Sequence, residues 1–241
     1  MVTPAIMNSP KKIARMAGFL YLAYFIAFFL ADNGVHSTAV GSADAAATAQ
    51  NIMASEGQFR IGFMSFLLAA VLFLLSAWAL YVLLKPVNKD LALLLVLLNL
   101  AGVAIKCVSL LSEFAALLLL SGADYLQAFP ADQLQALAIL FLKLYQTGFM
   151  IAQIFFGAWL LPLGYLVFKS GFLPRILGIL LIIDCFTILI WFFQFFLFPD
   201  YEAFSYPGLA VSFIAEALLC LWLLIKGVNV EQWEKRALES A

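Results

Sequence analysis

Six separate stretches of this chain are apolar over about twenty residues or more, the length an α-helix needs to cross the hydrocarbon core of a bilayer. A segment in that solvent must satisfy its backbone N–H and C=O groups internally, so the helix is the conformation open to an isolated apolar run. The runs lie near residues 13–31, 61–84, 91–120, 134–168, 173–198 and 206–225. They predict an all-α fold: a polytopic transmembrane helical bundle of about six spans, forming one membrane domain over residues 1–241. The third and fourth runs exceed what a span requires, so they are expected to tilt or protrude, with a kink at Pro162. Composition agrees, with 66% hydrophobic and 11% charged residues where a soluble domain is about half apolar and a quarter charged.

The lysines and arginines between the runs give an orientation, because basic residues are retained on the cytoplasmic side. Lys11, Lys12 and Arg15 precede the first run, Lys85 and Lys89 follow the second, Lys169 and Arg175 join the fourth to the fifth, and Lys226, Lys235 and Arg236 follow the sixth. Those ten stand against Arg60 alone at the other ends. Both termini are therefore expected in the cytoplasm. A second reading makes the first run a cleaved signal peptide, with small residues near Ala39 as the cleavage site.

Residues 32–60 form the long outer connection and should contain a short extracytoplasmic amphipathic helix. Ser42 or Asp44 would cap it, Gly57 would end it, and Ala45, Ala49, Ile52 and Met53 would share its apolar face. In the connection 121–133, Pro130 and Asp132 signal the start of the next helix.

Five ionisable residues fall inside the runs: Lys106, Glu113, Lys143, Asp184 and Glu216. One charge at the centre of an inserted helix costs roughly 2.5 to 3.5 kcal/mol, so five isolated charges would cost about 12 to 18 kcal/mol. That is comparable with the whole net stability of a domain, about 5 to 15 kcal/mol. Such groups must be paired, neutral or hydrated. Helical spacing puts them on stripes: Asn99, Lys106 and Glu113 recur every seven residues, Lys143, Gln146 and Gln153 share an arc, and so do Asp184, Thr187 and Gln194. Ser65 and Ser76 share a face of the second run, as Ser212 and Glu216 do on the sixth. Depth suggests Lys106 paired with Asp184 or Glu216 near the midplane, and Glu113 paired with Lys143 in the outer half. The candidate internal polar site is thus Lys106, Glu113, Lys143, Asp184, Glu216, Asn99, Gln146 and Gln153. The structural alternative is that these groups bond helices to one another, with Lys143 extending to the interface.

Other chemistry finds little support. A net charge of −1 gives no reason to expect a nucleic-acid partner. Cys107, Cys185 and Cys220 lie in apolar runs and make no CxxC pair, and the single histidine, His36, falls in an expected loop. No metal site or cofactor is therefore expected, and no Walker loop, dinucleotide fingerprint, HExxH or Ser/His/Asp set occurs. The five tryptophans are spread over separate segments, as interfacial belts and packing would have them.

Several segments together resemble a bacterial membrane-protein family, domain of unknown function 4386. They are PKKIARMAGFLYL from Pro10, DAAATAQNIMASEGQFRIGF from Asp44, LYVLLKPVNKDLALL from Leu80, LLLLSGADYLQAF from Leu117, QLQALAILFLKLY from Gln133 and LGYLVFKSGFLPRILGILLI from Leu163. The resemblance implies a multi-spanning protein of the bacterial inner membrane and supplies no substrate or catalytic residue. The acidic residue and histidines of the family pattern are absent from residues 143–159 here, so chemistry using them would not extend to this chain.

These features lead first to a membrane-embedded protein, related to transport, that binds a small molecule or ion at the internal site, with the lipid bilayer as its surroundings. The alternative is a non-catalytic accessory or structural subunit that acts with a membrane partner. An intramembrane enzyme using Glu113, Asp184 or Glu216 as general acid or base ranks last, because no nucleophile accompanies them.

Overall fold

The computed structural model describes residues 9–39 and 45–240, with only the backbone described over 34–39. Among the described residues eight α-helices follow one another: α1 (Pro10–Ala39), α2 (Ala45–Ala54), α3 (Glu56–Leu84), α4 (Lys89–Leu120), α5 (Ala131–Ser170), α6 (Arg175–Leu197), α7 (Tyr206–Ile225) and α8 (Val230–Glu239). Short 3-10 turns occupy Asp124–Leu126 and Pro199–Phe204, and no strand occurs among the described residues. Six helices are long and apolar enough to cross a bilayer: Pro10–Asn33, Glu56–Leu84, Lys89–Leu120, Ala131–Ser170, Arg175–Leu197 and Tyr206–Ile225. The protein is a polytopic, all-α membrane protein.

The differences from expectation lie at the helix ends. Helix α1 continues to Ala39, so His36 belongs to a helix and not to a loop. Ser42 and Asp44, the expected caps of α2, lie outside the described residues. Gly57 does not end α2. The break falls at Ser55, whose N–H reaches back to the carbonyls of Asn51 and Ile52, and α3 starts at Glu56. Glu56 and Arg60, 2.7 Å apart and one turn from each other, make an acid-first ion pair that favours helix at this N-terminus. The inward face of α2 is Thr48, Ala49 and Ile52, while Met53 faces out. As expected, α5 begins just after Pro130, and it remains helical through Pro162.

Contacts group the residues into two compact units, the first made of Met1–Ala23, Leu72–Gly102 and Gln153–Ala241, the second of Tyr24–Val71 and Val103–Ala152. In the first unit, Tyr21, Phe73, Phe156 and Trp159 form an aromatic core. Phe73 meets Trp159 edge-on at 5.0 Å between centroids and Phe156 at 5.4 Å, while Tyr21 lies 5.8 Å from Phe73. Lipid tails are as apolar as leucine, so helices here gain from close packing more than from burial. Small residues supply it. A Cβ on Gly178 would stand 2.6 Å from the Gly164 carbonyl oxygen, and one on Gly18 would stand 2.6 Å from the Leu224 nitrogen.

One end of this unit gathers the basic connections. Gly171, at φ +76°, makes the turn between α5 and α6, where the Ser170 hydroxyl donates to the Val167 carbonyl and accepts from the Leu173 N–H. Helix α8, too short and polar to be a span but apolar along Val230, Trp233 and Ala237, is capped by Asn229 and closes over the same end. Its Trp233 indole N–H donates to the Leu83 carbonyl at 2.8 Å, Arg236 donates to the Lys169 carbonyl at 3.2 Å, and the Asn229 N–H donates to the Phe172 carbonyl. Lys11 lies beside Gly227. An open cleft of about 710 Å³ remains there, lined by Tyr81, Lys85, Lys89 and Trp233 among others.

In the second unit, Ala31, Ile52, Phe59, Phe66, Leu110 and Leu117 form a buried cluster. Ile52 belongs to it, so α2 is packed onto protein and is not free on the lipid surface. Between α4 and α5, a Cβ on Gly148 would fall 2.0 Å from the Ser109 hydroxyl oxygen, which draws Ser109 and Gly148 into direct contact.

Replacing Gly178 by alanine should destabilise the protein by about 1 to 3 kcal/mol, because the neighbouring atoms are backbone and cannot rotate away. Gly57→Ala meets nothing within 4 Å and should be neutral or add about 0.4 to 1 kcal/mol. Thermal unfolding in one detergent, followed by tryptophan fluorescence, compares the two; equal midpoints would contradict the close-packing account.

Candidate functional site

The eight candidate residues divide equally between the two units. Four belong to the first unit: Asp184 of α6, Glu216 of α7, Gln153 of α5 and Asn99 of α4, all buried or partly buried. Lys106 and Glu113 belong to the second unit and are buried, whereas Lys143 and Gln146 of that unit are exposed. The expected pair of Glu113 with Lys143 is not formed. Lysine 143 reaches outward instead, as a long amphipathic side chain does when its helix face meets the surface.

Lys106 and Glu113 are seven residues apart on α4, two turns or about 10.5 Å along one face. Lys106 is 7% exposed, and its Nζ stands over three rings: Phe28 at 4.4 Å, Phe66 at 4.7 Å and Phe149 at 5.0 Å. The negative ring faces hold an ammonium that the surroundings have stripped of water. Glu113 is fully buried, and neither carboxylate oxygen has a hydrogen-bond partner among the described residues. Tyr145 is within electrostatic reach of Glu113 and packs its ring against Phe66 at 6.2 Å, linking the two ends of the group. Gly148 permits this assembly, since it lets α5 approach α4 at Ser109, midway between the lysine and the acid.

In the first unit, the acids are held by hydroxyls. Asp184 is fully buried on α6; one carboxylate oxygen accepts from the Ser212 hydroxyl of α7 and from Thr187 at 3.3 Å, and the other is buried without a partner. Thr187 and Ser212 are themselves 3.1 Å apart. Gly208, one turn before Ser212, brings α7 against Thr187, where a Cβ would stand 3.0 Å from the threonine Cβ. Glu216 lies one turn beyond Ser212 on α7 and accepts from the Tyr21 hydroxyl of α1. The two acids are near enough to repel each other. Asn99 is fully buried with both amide atoms unpartnered. Gln194 closes the end of α6 by donating to the Phe198 carbonyl at 3.1 Å.

The expected pairing of Lys106 with Asp184 or Glu216 would join the two units; within its own unit each group has partners of another kind, rings for the lysine and hydroxyls for the acids. Sequence reasoning named Thr187 and Ser212 as stripe residues without making them ligands of Asp184. It missed Tyr21 and the three phenylalanines. Tyr21 sits in an aromatic-rich run beside a second tyrosine, Tyr24, at helical spacing, so nothing local singles out its hydroxyl. The ring cage is assembled from α1, α3 and α5, and such an encounter leaves no local pattern.

Six membrane-crossing helices with ionisable side chains buried among them define a multi-pass membrane protein. The chain belongs to the family described as Domain of unknown function (DUF4386), whose model matches residues 16–227. It is also similar to an uncharacterized protein of Archaeoglobus fulgidus, 30% identical over 161 residues that cover 65% of this chain and 77% of the relative. That relative is archaeal, so the likeness carries no bacterial address. No solved structure matches the chain.

Replacing Glu113 by methionine removes two unpartnered buried oxygens and should stabilise the fold by about 1 to 3 kcal/mol. Lys106→Met should likewise be neutral or stabilising, because the thioether is at home among rings. Melting midpoints of both variants in detergent check this, and a loss of several degrees in either would make these charges structural.

Proposed function

We propose that this protein binds a small ion or molecule at an internal polar site built on Lys106 and Glu113, in a role related to transport. The observation that carries the reading is the Glu113 carboxylate, buried with both oxygens unpartnered inside a membrane protein. Groups that merely join helices are hydrogen-bonded to them, and an ionisable side chain retained in a span without that return is a functional group by default. A cationic centre suits Glu113. Lys106, two turns away on the same face, suits an anionic one. Lys143 and Gln146, being exposed, are left out of this site.

Native mass spectrometry of the gently purified protein tests the reading. A defined small molecule or ion should accompany the wild type and be lost from Lys106→Met and Glu113→Gln variants that still unfold cooperatively. An unliganded wild type, as stable as both variants, overturns the reading; a stoichiometric protein partner in its place would establish the accessory-subunit alternative.

We propose a bacterial inner-membrane location with both termini cytoplasmic. Lys11, Lys85, Lys89, Lys169, Arg175 and the basic residues of α8 lie at one end of the first unit, which supports this orientation through the preference of basic residues for the cytoplasm. Green fluorescent protein fused after residue 241 should fluoresce, and alkaline phosphatase fused within 121–130 should be active. The reverse pattern would invert the topology.

A further inference from the structure

We propose that Asp184, Thr187, Ser212, Glu216 and Tyr21 form a second site, in the first unit, that binds a dehydrated monovalent metal cation such as sodium. The inference does not rest on the Lys106–Glu113 site.

Two hydrogen-bonded groups on three helices supply it, one turn apart on α7 and near enough for their acids to repel. Asp184 and Thr187 come from α6, Ser212 and Glu216 from α7 and Tyr21 from α1, and each side chain brings an oxygen. The hydroxyls of Thr187 and Ser212 lie 3.1 Å apart and both touch one oxygen of Asp184. The other oxygen of Asp184 is buried and unpartnered on a side chain with no exposed surface. A carboxylate oxygen in that position has a lone-pair face turned to protein and satisfied by none of it, which is the condition a cation relieves. Serine and threonine hydroxyls remain able to offer lone pairs while donating elsewhere, so they can ligate a cation without leaving the carboxylate.

The ligand set selects the ion. The oxygens are hard donors, which favours alkali and alkaline-earth ions over transition metals. Magnesium sheds its water reluctantly and calcium takes six to eight oxygens. A site of a few hydroxyls and two carboxyls, sunk among apolar helices, suits an ion of lower dehydration cost. Local packing is arranged around it: Gly208 presses α7 onto Thr187 one turn before Ser212, and the aromatic core of Phe73 and Trp159 fixes the Tyr21 ring that reaches Glu216.

Thermal unfolding of the purified full chain, with sodium chloride replacing choline chloride at constant ionic strength and pH 8, tests the site. Sodium should raise the midpoint saturably in the wild type. Asp184→Asn should abolish that response, and Ser212→Ala, a smaller change that keeps the fold if the first does not, should raise the half-saturating sodium concentration about tenfold. Ser76→Ala, whose hydroxyl bonds only its own helix at the Phe73 carbonyl, should leave the response intact. A wild type indifferent to sodium overturns the proposal. So does a response that survives in both Asp184→Asn and Ser212→Ala, or stabilisation by acidification alone with sodium inert.

Discussion

Hydrocarbon offers no hydrogen bonds, so each polar atom placed in it must bring or find its own partner. Most of what is distinctive in this chain follows from that shortage. The six long helices answer it for the backbone. Side-chain hydroxyls answer it locally, as Ser76 does with the carbonyl of Phe73 and Ser109 with that of Ile105. The groups left over, Glu113, Asn99 and one oxygen of Asp184, stand out because the surrounding protein has dealt with so much else.

The two buried polar groups solve the problem differently. In the second unit a cation is held by ring faces, which are plentiful in a chain with 24 phenylalanines and which cost nothing in hydrogen bonds. In the first, carboxyls are held by neutral hydroxyls from neighbouring helices. Both depend on close helix approach at glycine. Gly148 sits opposite Ser109 between the lysine and the acid of α4, and Gly208 sits opposite Thr187 beside Asp184. Small residues therefore set how near the chemistry-bearing helices can come.

The helices were legible because apolar length in a bilayer is a local property. Eight stripe residues, Ser76, Asn99, Lys106, Glu113, Gln153, Asp184, Gln194 and Ser212, proved buried as helical spacing implied. Their partners were not legible. A seven-residue spacing says which way a side chain points and nothing about what another helix presents there, so it could not name the rings of Phe28, Phe66 and Phe149 that stand around Lys106. Lys143 shares its arc with Gln153, yet the first is exposed and the second buried, because the arc is wide enough to straddle the edge of the packed face. Helix α8 was not legible for another reason: it is short and polar on average, so a search for spans passes over it although Val230, Trp233 and Ala237 make an apolar face.

That helix also bears on how the protein comes into being. Trp233 follows the last of the six spans among the described residues, and apolar length alone drives their insertion, so entry into the bilayer does not need its bond to the carbonyl of Leu83. Entry into the bilayer and fastening of the basic end are consequently separate events, with the tie between α3, the α5–α6 turn and α8 made last. A chain interrupted shortly after Ile225 would possess every membrane helix and still lack its fastening.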